Sequence, residues 1–254
     1  MATLRILLLT LLACLLLPAS ALAKDKLTAR EILDKVDDTY RGRSARGQMR
    51  MKVVNPNYKR ELVMDFWSHG KEKSLVRIVE PKKERRTATL KNGNNIWNYL
   101  PKVNRTIKIP SSMMGGSWMG SDFTNDDLVK EHRMADDYAP KITFDGSRGG
   151  QKVIEITCTP KPNAPVVWGK LVVTVRAQDY LPVRIDYHKE RGGLARRLTF
   201  SNYQTLGGRL VPTTMTMIPR DKPGHSTVVT YEKLTFDVSL PANIFTVASL
   251  RSGR

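Results

Sequence analysis

The chain has 254 residues, two cysteines, and a formal net charge of +18 from 42 Lys and Arg against 24 Asp and Glu. Two cysteines exclude a small disulfide-stapled fold, and the length fits one domain with its own core. The basic balance would suggest nucleic acid in a cytoplasmic protein, but no RNP-like, zinc-finger or helix-turn-helix pattern accompanies it.

The N-terminus reads as an export signal. Arg5 supplies the positive start, Ile6 to Leu17 is a nearly unbroken apolar run, Pro18 breaks it, and Ala21-Leu22-Ala23 is an A-x-A cleavage site. The run is shorter than about 18 residues, so a retained membrane anchor is the weaker reading. Leu11-Leu12-Ala13-Cys14 also fits a lipidation signal, but Leu15-Leu16-Leu17 would then leave a greasy stub. Lipidation at Cys14 is therefore the less favoured alternative. The expected boundaries are a signal peptide over 1–23 and a single domain over 24–254. Removing 1–23 takes away one arginine and no acid, which leaves +17 and Cys158 as the remaining cysteine. Ile154, Ile156 and Cys158 alternate, so Cys158 reads as a buried strand residue. The expected location is the periplasm. There an anionic membrane surface or an acidic partner replaces nucleic acid as the counterpart of the charge, at about 1 kcal/mol per Lys or Arg near an anionic leaflet. A uniformly solvated basic surface is the bland alternative.

Thr28-Ala29-Arg30-Glu31 is a capping box, followed by Ile32, Leu33, Val36 and Tyr40 on one helical face and by Gly42 as a stop. This predicts one amphipathic helix near the mature N-terminus. The period then switches to two. Met49, Met51 and Val53 alternate with Gln48, Arg50 and Lys52, and Leu62, Met64 and Phe66 alternate with Glu61 and Asp65. Pro81 precedes the charged cluster Lys82-Lys83-Glu84-Arg85-Arg86, a solvated loop in the plain reading and a lipid-headgroup or partner contact in the functional one. Trp97 and Tyr99 with Arg105 and Lys108 combine flat aromatics with cations, which suits either sheet packing or the interfacial level of a lipid.

Residues Met113 to Leu128 read as neither strand nor ordinary polar loop. Met113, Met114, Trp118, Met119 and Phe123 lie among Gly115, Gly116 and Gly120, a pliable apolar surface on a backbone free to bend. Thr124 then caps a short helix whose first turn carries Asp126 and Asp127. The segment is either a plug between sheet segments or an adaptable lip beside an apolar cavity. Further alternating runs follow at Leu171-Val173-Val175, Val183-Ile185-Tyr187, Leu198-Phe200, Val211-Thr213-Met215-Met217 and Thr227-Val229-Tyr231. Turn signals separate the strands at Asn92-Gly93, Gly146 to Gly150, Gly192-Gly193, Gly207-Gly208 and Pro223-Gly224. About ten to twelve strands at hairpin spacing predict an antiparallel meander with no βαβ rhythm.

Met119-Gly120-Ser121-Asp122-Phe123-Thr124 with Asp127-Leu128, and upstream Trp97-Asn98-Tyr99-Leu100-Pro101 with Arg105, resemble the signature segments of the LolA-like outer-membrane lipoprotein-sorting proteins. The resemblance is to the longer, largely uncharacterised branch and is specific from about Trp97 to Leu128. It implies a periplasmic open β-barrel that carries lipid or lipoprotein acyl chains. It further suggests action beside membrane complexes such as RND-type inner-membrane exporters.

The residues themselves lead the same way. An antiparallel sheet must bury one apolar face, and two short helices cannot pave a sheet of this size. The expected fold is therefore mainly β: an incomplete antiparallel barrel, or strongly curved sheet, with an N-terminal helix and a short helical lid. Its interior is either filled core or ligand cavity, and the abundance of methionine on the apolar faces favours a cavity. The expected lining is Met49, Met51, Met64, Phe66, Val183, Ile185, Met215 and Met217. The expected lip is Met113, Met114, Trp118, Met119 and Phe123, and the interfacial group is Trp97, Tyr99 and Arg105.

No catalytic constellation or cofactor motif appears. His69, His132, His188 and His225 are isolated, so no metal spacing arises. Gly115-Gly116-Ser117-Trp118-Met119 lacks the last glycine of a nucleophile elbow, and Gly146 to Lys152 fails the phosphate-loop spacing. The expected protein is a non-enzymatic carrier, a monomer with lipid or an acylated protein as partner and no cofactor. The alternatives are a filled barrel that docks to a membrane complex without cargo and, more weakly, a hydrolase.

Overall fold

The computed structural model describes residues 26–40, 42–130 and 134–252; the expected signal segment, Cys14 and His132 lie outside them. Helix α1 (Ala29–Asp38) starts where the capping box places it. Glu31 N donates to Thr28 Oγ1 at 3.3 Å, and Thr28 N donates to Glu31 Oε2 at 2.8 Å. Its apolar face buries Ile32, Leu33 and Val36.

Thirteen strands follow among the described residues, where turn spacing predicts about ten to twelve. The first six are β1 (Ser44–Val54), β2 (Lys59–His69), β3 (Lys73–Glu80), β4 (Ala88–Asn92), β5 (Asn95–Leu100) and β6 (Arg105–Lys108). Helices α2 (Asn125–Lys130) and α3 (Met134–Asp137) intervene. The second series is β7 (Tyr138–Arg148), β8 (Gln151–Pro160), β9 (Lys170–Arg176), β10 (Pro182–His188), β11 (Leu194–Leu206), β12 (Arg209–Pro219) and β13 (Ser226–Phe236), with α4 (Val247–Ser252) last. The undercount comes from short, mixed strands such as β6, whose four residues carry no buried face.

All strands belong to one antiparallel sheet, ordered β6-β5-β4-β3-β2-β1-β13-β12-β11-β10-β9-β8-β7. Each half is a meander, and β1 joins the halves by pairing with β13. The sheet is not closed: β6 and β7 are its two free edges. Its curvature wraps one face around a main core that includes the apolar face of α1.

Register fixes which side chains share that inner face. Met49 stands opposite Met64, and Met64 opposite Ile78. The next row is Gly47, Phe66, Val76 and Thr89; the row after it is Ala45, Ser68, Ser74 and Lys91. Side chains one position over point outward, because successive residues of a strand alternate faces. There Leu75, Ala88, Leu90 and Tyr99 form a second core with Phe245 and Leu250 of the C-terminal segment. Arg77 helps fix that segment, donating from Nη2 to the Ser249 carbonyl at 2.9 Å.

Gly47 shows how tightly the inner face is built. A Cβ there would lie 2.1 Å from the Lys233 carbonyl oxygen and 2.7 Å from the Phe66 ring. The ring lies over the glycine, and backbone closes the other side. Gly47→Ala is expected to destabilise the fold by about 1–3 kcal/mol, the usual range for overpacking. Urea unfolding measures this, and a variant as stable as the parent would show that the strand yields at no cost.

Candidate functional site

The topology dictates where a site can form. The described residues of the connection from edge strand β6 to the opposite edge strand β7, 109–130 and 134–137, cross the open inner face, where Trp118, Phe123, Met134 and Ala135 join the main core. This crossing contains the Met113 to Phe123 segment.

The segment is ordered by its own hydrogen bonds. Trp118 N donates to Phe123 O at 2.8 Å, Asn125 N to Gly116 O at 3.0 Å, and Asp126 N to Met114 O at 2.8 Å. Met119 and Gly120 both take positive φ, 48° and 71°, so the chain reverses within two residues. Polar contacts tie the reversal to the sheet. Arg60 Nη1 donates to Met119 O at 2.6 Å, and Asp122 N donates to Thr227 Oγ1 at 2.9 Å. Helix α2 begins with a reciprocal cap: Thr124 N donates to Asp127 Oδ2 at 2.7 Å, and Asp127 N to Thr124 Oγ1 at 3.2 Å.

Asp127 is also held from the side. Arg196 grips its carboxylate with both terminal nitrogens, Nη1 to Oδ2 at 2.8 Å and Nη2 to Oδ1. The guanidinium lies 4.5 Å from the Trp168 ring centroid and 4.3 Å from that of Tyr187. Arg196 is 4 % exposed, a charge taken into the inner face of β11 and paired there with the Asp127 carboxylate.

Between this insert and the sheet lies a cavity of about 140 Å³. Its apolar wall is Tyr40, Met49, Phe66, Val76, Trp118, Phe123, Leu128, Met215, Val229 and Tyr231. The rings of Tyr40 and Tyr231 stack at 4.7 Å, and Phe66 meets Tyr231 edge-on at 5.6 Å. Moving along β2 and β3 toward their shared turn, the lining changes from Phe66 and Val76 to Ser68 and Ser74, with Lys91 of β4 in the same row, and then to Lys71 and Lys73, while Asp127 adds a carboxylate from the insert. Lys91 Nζ donates to the Lys71 carbonyl at 2.5 Å, and Lys71 Nζ lies 3.5 Å from Asp34 and 3.7 Å from Asp37 of α1. One end of the cavity is greasy and the other is hydroxyl- and ammonium-bearing.

A second, wider hollow of about 610 Å³ lies toward the opposite end of the strands. Arg60, Glu84, Thr87, Thr89, Asn98, Leu100, Val103 and Met119 are among its walls. Trp118 lines the first cavity and Thr89 the second, and Trp118 Nε1 donates to Thr89 Oγ1 at 3.1 Å. The indole and its neighbour Met119 thus partition the inner space.

The residues singled out from sequence separate into groups. Met49, Phe66 and Met215 line the first cavity. Met51, Met64 and Met217 are fully buried and Ile185 is 1 % exposed; they belong to the main core and do not reach the cavity wall. Val183 is half-buried at an irregularity in the β9–β10 pairing, outside the core. Of the lip residues, Trp118 and Phe123 face the first cavity, Met119 the second, Met114 is half-buried, and Met113 is 57 % exposed. Trp97 and Tyr99 turn to the outer face and join the second core, with Lys108 Nζ 5.8 Å from the Trp97 ring and Arg105 exposed. They do not meet the cavity. Tyr40, Val76, Leu128, Tyr231 and the lysines were not anticipated as lining, although Val76 and Lys91 share the face that the register assigns to Phe66.

Cys158 is fully buried, and burial pushes its thiol up to about 12. Among the described residues no group of three or more His, Cys, Asp or Glu could hold a metal ion, and no helix is long and apolar enough to cross a membrane.

A family model described as that of an uncharacterized protein matches residues 70–252. No curated protein matches the sequence. Among solved structures, the chain is similar to a protein domain assigned to outer membrane lipoprotein sorting from Vibrio parahaemolyticus. Identity is 26 % and the TM-score 0.76, covering 88 % of this chain and 98 % of that one. A DUF1329 family protein from Desulfovibrio piger matches at 22 % identity and a TM-score of 0.80, over 87 % and 97 % of the two chains. A LolA superfamily protein from Nitrosomonas europaea matches at 23 % and 0.74, over 88 % and 100 %.

Proposed function

We propose that this chain, which belongs to the family whose model matches residues 70–252 and is LolA-like in fold, is a periplasmic carrier that shields the acyl part of a lipid or acylated protein from water. The observation that carries the reading is the apolar cavity bounded on one side by the curved sheet and on the other by a glycine-containing insert. The work is sequestration, without bond making or breaking. A chain of roughly sixteen carbons hides about 12 kcal/mol of exposure at about 0.8 kcal/mol per CH₂. Methionine and aromatic walls accept chains of different shape, which lets a carrier both bind and release.

The cavity is smaller than the roughly 300 Å³ at which small-molecule pockets begin. Loading therefore requires the Trp118 partition to move, which would join the cavity to the wider hollow beside it. The gradient from Phe66 to Ser68 and Lys91 orients the cargo, with its chain among the aromatics and its polar head at the lysines. A filled docking protein for an inner-membrane exporter is the second reading, favoured by the complete burial of Met51, Met64 and Met217.

Lipid extracted from the purified protein and identified by mass spectrometry decides between the two; a carrier yields a stoichiometric lipid. Trp118 gives a second readout. Titration with lipid is expected to change the intrinsic fluorescence, and Trp118→Phe is expected to lose most of that change despite Trp67, Trp97 and Trp168. An unchanged signal in the parent, with slow deuterium exchange across residues 113–123 with and without lipid, would mean a fixed plug.

A further inference from the structure

We infer that the end of the sheet formed by the β1–β2, β3–β4 and β5–β6 connections is a docking surface for an anionic bilayer. These three connections lie at the same end because adjacent strands of a meander reverse direction. Residues 101–104, between β5 and β6, place Val103 in solvent at 59 % exposure, beside Leu100 at 38 %. Tyr58 of the β1–β2 turn is 45 % exposed and donates from its hydroxyl to Gly120 O at 3.3 Å. Exposed aliphatic and tyrosine side chains on one rim offer shallow insertion at the headgroup level.

The same connections carry cations. Lys82, Lys83, Arg85 and Arg86 from the β3–β4 connection are exposed, as are Lys102 and Arg105 from the β5–β6 side. The wide hollow joins the two connections, since Lys83, Lys102, Leu100 and Val103 all line it. The acids at this end include Glu80, exposed at the end of β3, Glu84, which is held by Arg60, Glu61, which is paired with Arg50 and Lys52, and Asp221 of the neighbouring β12–β13 turn, which is paired with Lys189. Positive charge therefore predominates on the rim that carries the exposed apolar groups, and that combination complements a negatively charged leaflet. The hollow opens onto this rim, and Met119 of the partition forms part of its wall. A bilayer seated here would face the inner space directly.

This inference does not rest on the carrier reading. The test is sedimentation of the mature chain with vesicles of phosphatidylcholine alone or mixed with phosphatidylglycerol, at low and high salt. The parent is expected to bind the anionic vesicles, to release at high salt, and to ignore the neutral ones. At low salt, where the parent binds, Lys83→Glu/Lys102→Glu is expected to weaken binding by roughly tenfold or more, and Val103→Asp to weaken it as well. The charge-matched control Lys141→Glu/Lys152→Glu, on the opposite edge of the sheet, is expected to bind like the parent. Circular dichroism establishes that each variant is folded. Equal weakening by the control would mean diffuse charge and overturn the docking end. So would equal binding to neutral vesicles, or no binding to either kind, the last leaving an acidic protein as the counterpart of this face. Phe66→Glu, which lines the first cavity and not this rim, is expected when folded to bind the anionic vesicles like the parent, which separates this result from the fate of the carrier reading.

Discussion

Phe66→Glu is expected to abolish binding of a fluorescent fatty-acid probe, with an affinity loss of at least about 100-fold, roughly 3 kcal/mol. Phe66 is 8 % exposed, lines the cavity, and meets Tyr231 edge-on. A carboxylate in its place must be desolvated when an acyl chain fills the cavity, and the walls beside it are apolar. The same change removes an aromatic side chain from the fold, a loss of about 3–5 kcal/mol when truncated to alanine, so stability must be followed separately. Phe66→Leu keeps the apolar wall and is expected to remain within about tenfold of the parent. Met215→Glu, on β12 across the cavity, provides an independent site with the same expected loss of binding. Parent-like affinity in folded Phe66→Glu and Met215→Glu would remove this cavity as the acyl site. No binding by the parent would remove the carrier reading itself.

Much of the architecture was legible because it depends on period. The capping box at Thr28 and the cap at Thr124 mark helix starts through local hydrogen bonds. The alternation of Met49 with Arg50, or Phe66 with Asp65, assigns faces of the sheet. Too few helices to cover that face implies curvature, and the sheet is indeed curved and open. Alternation says nothing of depth, however. Met64 and Phe66 share a face one row apart, yet Met64 is sealed in the core and Phe66 borders a void. What separates them is the covering insert, a long-range contact with no trace in strand period.

The outer face was illegible for a related reason. Trp97 and Tyr99 suggested an interfacial belt, but the short C-terminal segment covers them and supplies Phe245 and Leu250. That segment carries no extended apolar period to announce a second core. Val183 failed differently, because the irregular β9–β10 register breaks its alternation with Ile185. Charged residues on the inner face escaped as well. Lys91 and Arg196 occupy inward positions that an apolar-pattern rule leaves blank, yet they give the cavity its polar end and the insert its anchor.

Arg196 leads to the second large effect. Arg196→Met is expected to destabilise the protein by about 3–5 kcal/mol, the usual result of removing one partner from a buried ion pair. The loss should not be uniform. Asp127 caps α2 through Thr124 N, and Arg196 holds that carboxylate from β11 while Nη1 also lies 3.5 Å from Asp122 O. The contact therefore links the insert to the second half of the sheet, across from the Arg60 and Trp118 contacts with the first half. Breaking it should raise deuterium exchange across residues 113–128 more than across β1, β2 and β13, and should expose Trp118 to a soluble quencher. Asp127→Asn keeps a side-chain oxygen for the cap but removes the charge. In combination with Arg196→Met it should cost less than the sum of the two single changes, because neither charge of this pair is left without the other. Additive losses with evenly distributed exchange would show that Arg196 only fills space between Trp168 and Tyr187. Coupled losses concentrated in the insert would identify the ion pair as what holds the partition shut, with opening governed from the side of the barrel opposite the Trp118 contact.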